Sequence, residues 1–208
     1  MLFRSTCDVV GLFCLRVAKE GGLSLIVSSL AIRNEIARRR PDLLETLYQP
    51  YSWSWLGQEA LGDAPHYLQP IFTEERGYFS CRLVTNHIAN AQRLPGVPRL
   101  ADAQIEALDL VASIAADPAF HFSMMFEPGD LQLLNNHVTM HGRTAFEDYP
   151  EKDRHRHLLR LWLSMPGTQP LSRELSTIYR DGTPGAVRGG FPSRTGTYRY
   201  ETLGANYD

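Results

Sequence analysis

The sequence is poor in cysteine, and its three cysteines, Cys7, Cys14 and Cys81, show no CxxC spacing. An odd, widely spaced set of this kind gives no basis for a disulfide framework or a cysteine-ligated zinc site. It is typical of the reduced thiols of cytoplasmic proteins. We therefore expect a cytoplasmic protein whose fold depends on a buried core.

The chain also lacks a marked excess of charge of either sign. Its 21 Lys and Arg residues nearly balance its 23 Asp and Glu residues, which leaves a formal net charge of -2. Such a balance gives no electrostatic reason to expect nucleic acid or an anionic membrane as a partner. A small-molecule substrate is the expectation, and the sequence does not indicate an oligomeric state.

Long apolar runs are absent, because no segment approaches the roughly 18 apolar residues that a membrane-spanning helix requires. The run VVGLFCL follows Arg4 and could be mistaken for a signal peptide. Asp8 precedes it directly and no small-residue cleavage site comes after it, so a strand is the better interpretation. Residues 8–17 are rich in β-branched and aromatic side chains, which favours a buried strand.

The rest of the pattern predicts one strand-rich domain, residues 1–208, with few helices and an irregular tail over residues 166–208. Many strands and few helices favour an antiparallel sandwich or barrel. The predicted elements are a second strand in GGLSLIVSS, a helix over 30–48 capped by Ser28 or Ser29 and broken at Pro41, an insert or lid-like loop over 50–75, a strand in 77–88, a helix over 101–117, a hairpin over 119–137 around a Pro-Gly turn, and a last strand over 157–163.

The last predicted strand carries arginines inside an apolar run. Because strand side chains alternate between two faces, Arg156, Leu158, Arg160 and Trp162 share one face, and the apolar side chains of the other face are expected to pack. A buried guanidinium needs an anion, and its fork fits a carboxylate or a phosphate. That anion is either an internal Asp or Glu or a bound ligand, and the pattern alone leaves both open.

Two histidines precede this strand, four residues apart, in HVTMH. Helical spacing would make His137 and His141 half of a zinc site, but an HExxH motif needs Glu where Val138 stands. In extended or irregular geometry, one of them could be a metal ligand by itself. Each could equally be a hydrogen-bonded core residue.

Taken together, these segments are more specific than any one of them. HGRTAF from His141, a short acidic loop, and RHLLRLWL from Arg156 resemble the C-terminal half of the taurine dioxygenase-like (TauD/TfdA) family of Fe(II)- and 2-oxoglutarate-dependent oxygenases. DVVGLFCLRVAKEGGLSLIVSS and PGDLQLLNNH are also similar to this family, so that the resemblance spans residues 7 to 165. It implies a mostly β double-stranded β-helix (jelly-roll) with flanking helices, incomplete at the N-terminus.

The resemblance also implies roles for four residues. His141 matches the distal histidine of a two-His, one-carboxylate iron site. Arg160 matches the arginine that grips the distal carboxylate of the cosubstrate 2-oxoglutarate, Arg156 matches a second arginine, and Ser24 matches a hydroxyl residue that binds the same carboxylate. The implied activity is hydroxylation of a small organic substrate.

One part of the family pattern is missing. The other two iron ligands form an H-x-D motif that should fall at Phe3, Arg4 and Ser5, where neither His nor Asp stands, and Asp8 matches a later position. A single histidine should hold Fe(II) weakly, because even the loss of an outer-shell partner costs about 10-fold to 100-fold in metal affinity.

Two interpretations follow from this departure. The chain is an N-terminally truncated form of an active oxygenase, inactive as given, or it is a carboxylate-binding or assembly module that kept the fold and lost the metal. An unrelated β-sandwich with structural Arg and His residues is a third possibility. The substrate does not follow from the sequence, although residues 50–75 and 143–155 are where specificity could lie.

Overall fold

The structure, a computed structural model, describes residues 6–59, 62–179, 181–186 and 188. The H-x-D positions Phe3, Arg4 and Ser5 therefore lie outside the described residues, as does the end of the predicted tail. In the described part of the chain, no helix combines the length and the apolar character needed to cross a membrane.

Twelve strands and four α-helices make up the described fold. Short 3-10 helices at Lys152–Arg154 and Arg173–Leu175 supplement them. In chain order the elements are β1 (Val9–Arg16), β2 (Glu20–Gly21), β3 (Ser24–Ser28), α1 (Ser29–Arg39), α2 (Pro41–Leu47), β4 (Tyr51–Ser54), β5 (His66–Gln69), β6 (Phe72–Glu75), β7 (Tyr78–Cys81), α3 (Thr85–Ala91), α4 (Asp102–Ala116), β8 (His121–Met124), β9 (Leu131–Asn135), β10 (Thr139–Arg143), β11 (Phe146–Glu147) and β12 (His157–Leu163).

Two three-stranded antiparallel sheets position the site. The first has the strand order β12-β1-β9 and the second has the order β10-β3-β8. Strands close in sequence, such as β8 and β9, lie in different sheets, whereas β1 pairs with β12 from the far end of the chain. This mostly β arrangement of two facing sheets with helices outside confirms the predicted jelly-roll fold.

Several local predictions are confirmed. The Ser28 side chain caps α1 by accepting a hydrogen bond from the backbone N–H of Ala31 at 3.2 Å. Pro41 stands at the first position of α2, as expected for a residue that cannot continue the preceding helix. The last strand has the predicted bounds, His157–Leu163. All three cysteines are free and buried.

The prediction of a lid-like loop over residues 50–75 is wrong. Strands β4, β5 and β6 occupy this segment, and Tyr51 and Trp53 belong to the main hydrophobic core with 1% and 0% of their surface exposed. The indole N–H of Trp53 donates to the backbone oxygen of Gln69 at 2.8 Å, which satisfies its polar atom inside the core. The aromatic residues of this segment therefore stabilise the fold and do not form a lid.

The predicted hairpin over residues 119–137 is also wrong, although its turn exists. Glu127 and Asp130 close the Pro-Gly turn through a backbone hydrogen bond of 3.0 Å. The two strands that flank it do not pair, because β8 pairs with β3 and β9 pairs with β1. The turn carries the chain from one sheet to the other.

The apolar face of β12 does not pack as predicted. Leu159 and Leu161 are each 43% exposed, and Leu131 and Leu133 of β9 on the same side of the sheet are 53% and 55% exposed. The face that carries Arg160 borders the space between the two sheets, but Arg160 itself is exposed and not buried as its place in an apolar run predicts. The irregular segment after Pro166 packs more closely than expected, since Leu175 and Tyr179 are buried in the core.

Candidate functional site

A cavity of about 310 Å³ lies between the two sheets. All four residues that the sequence singles out for cosubstrate and metal line it, contributed by both sheets. None of the described residues that line it is an Asp or a Glu. The lining comprises Leu12, Ser24, Phe126, His141, Gly142, Arg143, Phe146, Arg156, His157, Leu158 and Arg160.

The second sheet brings Ser24 and His141 to one face. In the antiparallel pair β3–β10, Ser24 lies opposite Arg143 and Ile26 lies opposite His141. Directly opposed residues point to the same side of a sheet, and side chains two positions apart along a strand do so as well. The hydroxyl, the imidazole and the guanidinium of Arg143 therefore share the face that borders the cavity.

The first sheet supplies Arg160 from the opposite wall. Leu12 of β1 lies opposite Arg160 of β12 on one side and opposite Gln132 of β9 on the other. These three residues form one row across the cavity face of the sheet. Arg156 enters from the loop just before β12, where its backbone N–H donates to Asp148 Oδ1 at 2.7 Å.

Gln132 is a site residue that the sequence analysis missed. Its Nε2 donates to the buried Ser24 Oγ at 3.1 Å, and this bond joins the two sheets inside the fold. Gln132 is 8% exposed, and a buried amide needs an internal partner. The sequence carries no local signal for this role, because Leu131 and Leu133 on either side of Gln132 are exposed.

His141 is 6% exposed, and burial, aided by the positive charge of Arg160, lowers its pKa to about 4. The imidazole is therefore neutral near pH 7, which is the form that binds metal ions. The influence of Arg160 on this pKa also places that guanidinium near His141. Burial lowers the pKa of Arg160 as well.

Arg143 and Arg156 share one aromatic ring. The guanidinium carbon of Arg143 lies 4.1 Å from the centroid of Phe146, and that of Arg156 lies 5.4 Å from it. Burial lowers the pKa of Arg156, and the positive charge of Arg143 lowers it further. Within the described residues, no ion pair joins either side chain to a carboxylate.

His137 lies outside this cavity and belongs to a separate buried network. Its Nε2 lies 2.9 Å from Asp8 Oδ1, and Arg188 donates to the same oxygen at 3.0 Å. The backbone N–H of Met165 donates to the other carboxylate oxygen at 2.9 Å. Asp8 and His137 therefore have structural partners, in keeping with the exclusion of Asp8 from the predicted metal ligands.

A complete iron site does not emerge from the residues present. Among the described residues, no group of three or more His, Cys, Asp or Glu side chains could hold a metal ion. The second imidazole of the cavity, His157, lies with its Nδ1 3.4 Å from a guanidinium nitrogen of Arg16. His141 by itself does not fit a three-ligand iron centre.

Residues 3–162 match the family model described as "Taurine catabolism dioxygenase TauD, TfdA family". The chain belongs to the TauD/TfdA family. Two curated relatives are FR-33289 synthase from Streptomyces rubellomurinus, 35% identical over 187 residues, and the taurine hydroxylase-like protein SAT17 from Stachybotrys chartarum, 32% identical over 186 residues. These matches cover 87% and 83% of the chain but 54% and 45% of the relatives. This TauD/TfdA member thus spans about half the length of the relatives it matches.

Solved structures of similar fold are oxygenases as well. Asparagine oxygenase in complex with Fe(II), 3-hydroxyasparagine and succinate matches 79% of this chain and 50% of its own with a TM-score of 0.56 and 20% identity. The non-heme iron oxygenase OrfP, solved with Fe and α-ketoglutaric acid, matches 89% of this chain and 55% of its own with a TM-score of 0.55 and 15% identity. At these identities, the likeness shows the fold of the TauD/TfdA member.

Proposed function

We propose that the cavity is the 2-oxoglutarate site of an Fe(II)-dependent oxygenase that hydroxylates a small organic substrate, with Arg160, Arg156 and Ser24 holding the cosubstrate. We further propose that the 208-residue chain by itself binds the keto acid without turning it over. The family and the fold support the general kind of activity.

The observation that carries this proposal is the charge of the cavity wall. Three guanidinium groups, those of Arg143, Arg156 and Arg160, line a space of about 310 Å³ in which no described lining residue is acidic. Arg143 and Arg156 are half-buried and form no ion pair among the described residues, and a cation that is partly removed from water favours a partner of opposite sign. A dicarboxylate with planar carboxylate groups fits the forks of these side chains.

His141 is the proposed position of the iron ligand, since its buried imidazole is neutral and lies near Arg160. No group of ligands that would complete an iron site with His141 is found among the described residues, so the present chain should hold Fe(II) weakly. The chemistry that iron would supply at this position is oxidation by molecular oxygen.

Calorimetry with 2-oxoglutarate tests the carboxylate site directly. Arg160→Ala removes a charge-assisted fork, worth about 1.5–3 kcal/mol, so the Kd should rise by roughly 10-fold to 100-fold. Arg154→Ala is the matched control, because Arg154 is exposed and stacks on Tyr149 outside the cavity. Equal affinities of the wild type and Arg160→Ala for 2-oxoglutarate would contradict the proposal that Arg160 binds its carboxylate.

The second candidate is a non-catalytic binding module on the same fold, and the missing pair of iron ligands favours it. The purified chain should then retain less than stoichiometric iron and form no succinate when Fe(II), 2-oxoglutarate and oxygen are supplied. Stoichiometric, tightly held Fe(II) with steady succinate formation would rule out this module and the proposal that the present chain does not turn over.

A further inference from the structure

We infer that Arg143 is a further cosubstrate-binding residue, which together with Arg156 forms a paired clamp on the distal carboxylate, and that Phe146 positions both arginines. The inference rests on the proposed function, because it concerns the same cavity. It assigns a role to two residues that the sequence analysis left without one.

The strand register places Arg143 beside the proposed carboxylate-binding hydroxyl. Arg143 and Ser24 are directly opposed in the β3–β10 pair, and such side chains start about 5 Å apart on the same face. Both line the cavity, as does Arg156. A carboxylate that reaches Ser24 therefore lies beside Arg143, in the cavity that Arg156 also lines.

Phe146 holds the two arginines in place. Their guanidinium carbons lie 4.1 Å and 5.4 Å from the centroid of its ring, distances at which a cation is attracted to an aromatic face. Arg143 NH1 also donates to the backbone oxygen of Thr144 at 2.9 Å, which fixes one arm of its fork. These contacts order the two side chains before any ligand binds.

The backbone around Phe146 fixes the ring in turn. Phe146 of β11 lies opposite Gly21 of β2, and the backbone N–H of Gly22 donates to Ala145 at 3.0 Å. A Cβ placed on Gly22 would lie 3.4 Å from both Phe146 and Arg156 Nε, so a glycine leaves room for this stack. The pairing of β2 with β11 and the small size of Gly22 therefore fix the position of the Phe146 ring against Arg156.

Two adjacent cations that form no ion pair favour an anionic ligand, although the nearby charge of Asp148 offsets part of the positive charge of Arg156. Each repels the other, and no described Asp or Glu forms an ion pair with either of them. A single carboxylate can accept from both forks at once, because its two oxygens offer several lone-pair directions. Pre-ordered side chains lose less conformational freedom when the ligand arrives.

The decisive test compares two keto acids that differ in the distal carboxylate. 2-Oxoglutarate and 2-oxopentanoate are each titrated into the full chain by calorimetry, with wild type, Arg143→Gln and Arg143→Lys. The Kd of 2-oxopentanoate divided by the Kd of 2-oxoglutarate measures how strongly the protein prefers a ligand with the distal carboxylate. A residue that acts only through the fold changes both Kd values together and leaves this ratio unchanged.

Arg143→Gln should weaken 2-oxoglutarate roughly 10-fold to 100-fold and leave 2-oxopentanoate unchanged, so that the ratio falls by the same factor. Arg143→Lys keeps the charge but loses the planar fork, and its ratio should fall by a smaller factor. Phe146→Leu keeps both charges and should lower the ratio through misplaced arginines. Arg154→Gln, which removes a guanidinium from Tyr149 outside the cavity, should match the wild type.

The outcomes separate this inference from the proposed function. If the wild type prefers 2-oxoglutarate and Arg143→Gln keeps the full preference, the clamp is overturned while the cosubstrate site stands; this result would also fit an Arg143 that binds a substrate anion. If the wild type does not distinguish the two keto acids, the proposed function fails first. If Arg143→Gln does not fold, Arg143→Lys and Phe146→Leu provide the test. A ratio that is unchanged from the wild type in both of these variants overturns the inference.

Discussion

Arg188 and the pair formed by Arg143 and Arg156 differ in what surrounds them. The Arg188 side chain is 0% exposed and meets Asp8, which is 1% exposed, at 3.0 Å, and it also donates to the backbone oxygens of Gln169, Gly182 and Thr183. Arg143 and Arg156 line a cavity and have no carboxylate partner among the described residues.

The difference separates a structural use of charge from a binding use. The guanidinium that the fold buries completely finds its anion and three backbone acceptors within the protein, although its Nε has no hydrogen-bond partner. Guanidinium groups that stay half-buried beside an open cavity are satisfied by what enters it. The same residue type thus indicates a role only when its partners are known, which the sequence alone does not supply.

The largest expected effect is on the free energy of unfolding, when the buried pair of Asp8 and Arg188 is broken. Asp8→Ala leaves Arg188 buried without its carboxylate, and the loss of one partner of a buried pair costs about 3–5 kcal/mol. Urea unfolding measures this change in the free energy of unfolding. Asp42→Ala is the control, because Asp42 pairs with Arg40 on the surface and should matter far less. Similar losses for both variants would contradict the distinction.

The same buried pair predicts how stability depends on pH. Burial by itself would raise the pKa of Asp8, but the hydrogen bonds from His137 and Met165 and the charge of Arg188 outweigh it and lower the pKa below 3.8. A carboxyl group with a lowered pKa contributes stability above its unfolded pKa and loses it as the pH falls through the folded value.

The free energy of unfolding should therefore fall as the pH drops below about 4, and Asp8→Asn should lack this part of the decline. Urea titrations between pH 5 and pH 2 measure both slopes. A slope that is identical in the two proteins would show that Asp8 titrates alike when folded and unfolded.

A smaller effect on stability and on keto acid binding is expected at Gly21, whose backbone packs beside Phe146 and so supports Arg143 and Arg156. Gly21 has a φ of +71°, and a Cβ there would collide with the backbone oxygen of Ala145 next to Phe146. Gly21→Ala should cost about 1–3 kcal/mol and weaken keto acid binding together with it. Thermal unfolding and calorimetry measure the two consequences.

Gly77→Ala is the matched control for this change. Gly77 has a similar φ of +81°, but nothing lies within 4 Å of a Cβ added there. It should show the backbone strain alone, without loss of binding. Equal effects of the two substitutions on binding would mean that the β2–β11 pair does not position the arginines.

The smallest effect should come from the surface arginines. Arg38 and Arg39 both pair with Glu35 on the exposed side of α1, as their place at a helix end suggests. Glu35→Gln should leave keto acid binding unchanged and alter stability little, with salt reducing the difference further. A marked loss of binding in this variant would mean that charge far from the cavity controls the site.

The sequence predicted the parts of the fold that depend on local pattern. The strand over 157–163, the Ser28 cap and the break at Pro41 follow from alternation, capping and proline chemistry within a few residues. Pairing of distant strands does not follow from such signals. The hairpin over 119–137 failed for this reason, because the turn is local whereas the partners of β8 and β9 are remote.

The residues of the candidate site also divide into those that the sequence indicated and those that it did not. The family resemblance named Ser24, His141, Arg156 and Arg160, and the fold brings all four to one cavity, while their roles remain predictions. Gln132 was missed because its partner Ser24 lies far away along the chain. The partners of Phe146 are near in sequence, but no local pattern shows that two cationic side chains fold onto its ring. The segment 50–75 was misread because buried aromatic residues on short strands show no clear period.

The most direct test of the account is a crystal structure of the chain grown with 2-oxoglutarate. The account predicts the keto acid in the cavity beside His141, with its distal carboxylate held by Ser24 and the guanidinium groups of Arg143, Arg156 and Arg160. Finding the ligand elsewhere, or finding these arginines paired with a protein carboxylate, would contradict the claim that the cavity charges serve a ligand.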